Sequence, residues 1–173
     1  MLQGYLSNLS GNLGLVRGLE NSSNMLGRDT IGQMVLPLNM WWAGKEAASG
    51  TKRSKIVSSF ESGKTNRFLV HFCEGIDDKI HEEFDKFVEY DLLREEFIGI
   101  HSASLSGDAW TAVAKSGFKI VWSPLSNLIL YNRTADIAGA LKKGVPLQHI
   151  ALAPDWAPSG NPNQLFEAKT ANE

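Results

Sequence analysis

Four residues in the second half of the chain combine types and spacing that could do hydrolytic chemistry. His71 and Glu74 stand in VHFCEG, His101 in GIHSAS and Asp155 in LAPDWAPSG. A neutral imidazole is a good ligand for a divalent cation. A carboxylate three residues on could pass protons to and from water activated at such an ion. A carboxylate at the end of an apolar run must be paired, solvated or metal-bound, because burying it bare is costly. Singly, each residue has an ordinary structural reading, such as a histidine bonded to a backbone carbonyl or an aspartate capping a helix. Together, two histidines and an aspartate ending three apolar runs point to one shared site. The other two histidines, His81 and His149, read as surface or structural residues. Trp156, beside Asp155, could line a pocket, whereas the remaining tryptophans read as packing.

Other reactive patterns are weaker. SGKT at positions 62–65 has a phosphate-loop ending, but that motif needs a glycine at position 58, which is Ser58. No GxSxG nucleophile elbow is present. Cys73 reads as a small buried strand-end residue, since no partner pattern supports a nucleophile.

The elements that must position these residues follow a rhythm. Apolar runs at 68–72 (within NRFLVHFCEG), FIGIHSAS, FKIVWSPLSN and HIALAPDWAPSG alternate with helical stretches. The first helical stretch puts Ile80, Phe84, Phe87 and Val88 on one face and Glu82, Glu83, Asp85 and Lys86 on the other. A second opens near Ser106 and carries Trp110, Val113 and Ala114 at i, i+3, i+4 spacing before a Ser-Gly turn. A third, over 134–143, has basic residues near its end and stops at Gly144. Strands this continuously apolar are buried on both faces, as in a parallel sheet covered by helices. Their C-terminal ends carry the polar residues, which is where α/β barrels and open α/β sheets place their sites. The first fifty residues are less patterned. Apolar segments at 13–19 and 33–38 (QMVLPL) read as further strands, and 52–61 as a helix with Ile56, Val57 and Phe60 at helical spacing.

Size and charge bound the function. The chain has 173 residues with 43% hydrophobic and 21% charged positions, about one ordinary soluble domain. A net charge of −2 speaks against a general nucleic-acid binder. No apolar run reaches the roughly 18 residues of a membrane span. One cysteine and an N-terminus without a basic start suit a reducing, cytoplasmic setting with no secretory leader.

At four ordered pieces the sequence resembles the amidohydrolase superfamily: VHFCEGID, GIHSASLS, IVWSPLSNLILYNRTADI and LAPDWAPSGN. It looks most like the branch with cytosine and guanine deaminases and the triazine hydrolases. The resemblance covers Phe68 to the C-terminus. It implies an α/β fold, a TIM-like (β/α)8 barrel of parallel strands with outer helices, holding one divalent ion, zinc first and iron second. His71 would end strand five as a metal ligand, with Glu74 as proton shuttle. His101 would end strand six and contact the metal or the attacking hydroxide. Asp155 would end strand eight, ligate the metal and act as general base. Asn127, after strand seven, would belong to the substrate pocket together with Trp156. The implied reaction is hydrolysis of a C–N bond in a small, cyclic nitrogenous substrate by metal-activated water.

Two features depart from that pattern. The family ends its first barrel strand in His-x-His; no such pair occurs here, and no histidine precedes His71. A complete barrel takes about 250 residues, and these residues supply five or six strands. No lysine suited to a carbamate bridge is evident near strand four, which argues against a two-metal site. The expectation is therefore a single incomplete barrel domain over 1–173 without its first strands, with strands three and four in 1–66 and strands five to eight in 67–165. It would be a piece of a longer enzyme, a chain completed by a second copy or a partner chain, or a catalytically inactive barrel that binds or scaffolds.

Overall fold

The computed structural model describes residues 31–33, 58, 60–62, 67–155, 158–161 and 163–173, and the chain divides into two compact units, 1–70 and 71–173. In the first unit β1 (Ile31–Gln33) pairs in parallel with the opening of β2 (Arg67–Phe72), Ile31 opposite Arg67 and Gln33 opposite Leu69. The strand expected over 33–38 meets β1 only at Gln33; its remainder, and the strand expected over 13–19, lie outside the described residues. Ser58, Phe60 and Glu61 of the helix expected over 52–61 are helical, and the rest of that segment lies outside them.

The second unit alternates strand and helix. After the end of β2 come α1 (Asp78–Glu89), β3 (Phe97–His101), α2 (Asp108–Ser116), β4 (Lys119–Trp122), α3 (Pro124–Tyr131), α4 (Ile137–Lys142), a single 3-10 turn, β5 (Ile150–Leu152) and α5 (Gln164–Asn172). Strand order follows chain order, with β2 bordering β3, then β4, then β5. β3 and β4 are parallel with Gly99 opposite Ile120, and β4 and β5 are parallel with Val121 opposite Ala151. Parallel neighbours need crossovers, and the amphipathic helices supply them. Among the described residues no helix is long and apolar enough to cross a membrane.

Local chemistry sets the element ends. The Asp77 carboxylate accepts from Ile80 N at 3.1 Å and caps α1. Asp136 caps α4 by accepting from Gly139 N at 2.8 Å. Pro124 opens α3 at a position where its missing N–H costs nothing. Gly117 ends α2 in the left-handed conformation.

The core between strands and helices is aromatic. Phe72 of β2 packs 4.4 Å from Phe87 of α1 and 5.0 Å from Phe118, ring centre to ring centre, and Phe97 of β3 meets Phe87 edge-on at 6.0 Å. All four rings are buried. Gly99 lets them meet: a Cβ there would stand 2.7 Å from Phe118 and 3.0 Å from Phe72.

Two expectations for α1 differ from the structure. Val88 is half exposed, because it sits about 80° around the helix from Ile80 at the edge of the apolar stripe. Glu83 turns inward instead, and its carboxylate accepts from Cys73 N just past β2. It lies only about 60° from Ile80 on the other side of the stripe.

Candidate metal centre

β2 and β3 end side by side and both leave the sheet through left-handed backbone. Cys73 has φ 49°, His101 φ 73° and Ser102 φ 55°. Non-glycine residues adopt this conformation at a cost of about 1–3 kcal/mol each and keep it where the surroundings enforce it, often at functional sites. The enforcing bonds are visible: Ser102 N donates to Phe72 O at 2.9 Å, and Ser104 N donates to Cys73 O at 3.1 Å. Strict strand alternation would aim His101 with Phe97 and Gly99 toward the aromatic core. The turn at His101 removes it from that alternation, and its ring comes to lie 5.3 Å from that of His71, centre to centre.

Glu74 joins the two histidines. One ligand atom each from His71, Glu74 and His101 lies within 4.8 Å of the others. The closest measured approach is His101 Nε2 to Glu74 Oε1, 3.5 Å. His101 is fully buried, and the Glu74 side chain is 20% exposed.

The ring of His101 is oriented by its partner. Its Nδ1 lies 2.9 Å from Asn127 Oδ1, an oxygen that can only accept, so Nδ1 carries a proton and Nε2 is the nitrogen that faces Glu74. The carboxamide is held in turn, since Asn127 Nδ2 donates to Thr134 Oγ1 at 3.3 Å, and Trp122 Nε1 donates to the same hydroxyl at 2.6 Å. Metal-binding histidines are characteristically fixed this way, through the nitrogen that does not face the ion. At His71 the neutral form is favoured. Burial pushes its pKa below the ordinary value and His101 adds to this, while the charges of Glu74 and Asp155 oppose it.

Asp155 stands outside the tight trio. The hydroxyls of Ser126 and Ser159 donate to its Oδ2 at 2.6 and 3.0 Å, which fixes its side chain. Gly160 packs on its backbone so closely that a Cβ would fall 2.6 Å from Asp155 O. Its charge still acts on His71. Asn127, expected to line a pocket, is fully buried against His101. Trp156 lies outside the described residues.

Sequence reasoning missed three participants. Tyr131 donates its phenol to Glu74 Oε1 at 2.9 Å, and burial, then the Glu74 charge, raises its pKa so that it remains a donor. Ser126 holds Asp155, and Glu167 of α5 accepts from Leu125 N at 3.2 Å across the opening of α3. The SPLSN segment carried a signal for the first two, because a Ser-Pro step fixes where a helix begins and so which of its residues share a face.

The donors present suit a divalent cation. His71 Nδ1 and His101 Nε2 are both buried with no hydrogen-bond partner, an unfavourable state for a polar atom unless something else engages it. Two neutral imidazoles with a carboxylate form a donor set that zinc and its neighbours accept.

No family model matches the sequence, and no curated protein matches it. Solved structures do. An adenosine deaminase from Xanthomonas campestris with bound zinc superposes with a TM-score of 0.58 at 19% identity, over 68% of this chain and 28% of the deaminase. A triazine hydrolase variant gives 0.52 at 14% identity, over 60% of this chain and 23% of its own. The triazine hydrolase from Arthobacter aurescens gives 0.51 at 14% identity, over 59% and 23%. The fold is that of a partial α/β barrel. The likeness thus bears out the α/β architecture read from the strand–helix rhythm and the partial barrel that the resemblance implied, and the chain spans 23–28% of the length of those structures.

Proposed function

We propose that the chain is a segment of a metal-dependent amidohydrolase, of the deaminase and triazine hydrolase kind, that hydrolyses a C–N bond in a small, cyclic nitrogenous substrate. One observation carries this reading: a ligand atom each from His71, His101 and Glu74 gathered within 4.8 Å at the ends of β2 and β3, where each imidazole also has a buried nitrogen without a hydrogen-bond partner. The likeness in fold to a zinc-bearing deaminase and to triazine hydrolases supports it.

His71, His101 and Glu74 would hold the ion, with Asp155 as the further carboxylate. When bound, a divalent ion there lowers the pKa of water and polarises the group under attack. Asp155, anchored by Ser126 and Ser159, accepts the proton of the attacking water. Glu74, as proton shuttle, relays the proton removed from the water to the leaving amine as the C–N bond breaks, so that no proton is gained or lost overall. Asn127 keeps His101 in the tautomer that leaves Nε2 unprotonated. Trp156 contributes to the substrate pocket, with Asn127 behind it. The one cysteine, Cys73, is buried, which suits a cytoplasmic setting.

Ammonia or amine release from a panel of cyclic amidines, aminopyrimidines and aminotriazines, assayed with zinc, tests the activity. Activity lost in Asp155→Ala and Glu74→Gln, with zinc bound more weakly but still bound by Glu74→Gln, is the expected outcome. Activity undiminished in both variants would contradict the assignment.

A second reading rests on the 23–28% span of the similar structures. In it, the chain is an inactive barrel that binds or scaffolds, or one whose site is completed by a second copy or another chain. Zinc binding with no turnover on any panel member, together with a defined oligomer by sizing chromatography, is its signature.

A further inference from the structure

Resting on the metal-centre reading above, we infer that Tyr131 is a positioning residue for Glu74. Its phenol holds the carboxylate against the two imidazoles and so sets how tightly the three side chains grip a divalent cation.

Glu74 needs such a partner. It comes two residues after β2 and belongs to no strand or helix that would fix its torsions. A glutamate so placed loses rotamer freedom whenever it is held in one pose. Tyr131 donates to Glu74 Oε1 at 2.9 Å, the same oxygen that lies 3.5 Å from His101 Nε2. The phenol therefore acts on the atom that faces the imidazoles.

The helix bearing Tyr131 is organised around the site. Asn127 and Tyr131 are four residues apart and share one face of α3. Asn127 holds His101, Tyr131 holds Glu74, and Ser126 holds Asp155. The outward residues Leu128, Ile129 and Leu130 are apolar and 40–58% exposed. A helix built only for packing has the reverse arrangement, apolar inside and polar outside. Tyr131 does for the carboxylate what Asn127 does for the imidazole. Outer partners of this sort typically change metal affinity by about 10–100-fold.

The test is zinc affinity of the metal-stripped full chain, measured by competition with a chromophoric chelator. The proteins are wild type, Tyr131→Phe, Glu74→Ala, their double variant and His71→Ala, with circular dichroism to verify folding. Tyr131→Phe is expected to weaken zinc binding about tenfold. In the Glu74→Ala background, loss of the hydroxyl is expected to change affinity less than about twofold, because the hydroxyl then has no carboxylate to act through. Tyr131→Phe binding like wild type would overturn the inference. So would an equal loss with and without the Glu74 carboxylate, which would mark a merely structural role. If wild type binds zinc no better than His71→Ala, the metal-centre reading itself fails and takes this inference with it. Loss in His71→Ala without loss in Tyr131→Phe defeats the Tyr131 assignment alone.

Discussion

His71 and His101 are governed by different surroundings. His101 donates from Nδ1 to a carboxamide oxygen, while burial chiefly favours the neutral form of His71. Glu83 shows burial acting on a carboxyl. Its pKa rises from 4.5 to about 7, mainly through desolvation, with the charge of Glu74 contributing and the Cys73 N–H opposing. The folded chain therefore keeps a proton that the unfolded chain releases above 4.5, and stability falls as pH rises from 4.5 to about 7. The loss amounts to about 3 kcal/mol at full ionisation. Glu83→Gln should remove that slope. Urea unfolding of the metal-stripped chain should show the variant's stability relative to wild type rising by up to about 3 kcal/mol between pH 4.5 and pH 8. A difference independent of pH would show that Glu83 is not held protonated. The candidate residues His71, Glu74, His101 and Asp155 were legible in the sequence because few side chains do this chemistry. Their partners were not: the Asn127–His101 bond joins residues 26 apart and the Tyr131–Glu74 bond joins residues 57 apart. No local pattern encodes such a pairing.

Strands and helices were legible where periodicity is strong. The runs at 68–72, FIGIH, FKIVW and HIAL became β2 to β5, and the stretches between them became α1, α2 and α4. α3 was not read as a helix, because FKIVWSPLSN is apolar across the strand end and hides the break. The punctuation is Ser123-Pro124, where the proline begins the helix. α5 starts after Asn163, whose side chain accepts from Leu165 N at 3.0 Å, and it carries little apolar periodicity to announce it. The left-handed ends of β2 and β3 were equally hidden, since Cys, His and Ser do not signal that conformation as glycine does. Gly99 marks how closely β3 meets the aromatic core. Gly99→Ala must displace Phe118 or Phe72, and we expect it to cost about 1–3 kcal/mol in urea unfolding. An unchanged or increased midpoint would mean that the rings have room the structure does not show.

Over the whole molecule, every described residue of the candidate site belongs to the unit 71–173. His71, Glu74, His101, Asn127, Tyr131 and Asp155 are brought together by strands and helices that succeed one another in the chain. That local order made the parallel strand–helix alternation readable from rhythm, while the barrel was what the family resemblance implied. The matched structures extend well beyond the 23–28% of their length that this chain spans. The central claim is that His71, His101 and Glu74 hold one divalent ion, and it is tested most directly by zinc X-ray absorption spectroscopy on the full chain loaded with one equivalent. The account predicts a zinc shell with two imidazoles, oxygen donors and no sulfur from Cys73, and the loss of one imidazole in His101→Ala. A wild-type shell of oxygen alone, or one containing sulfur, would contradict it.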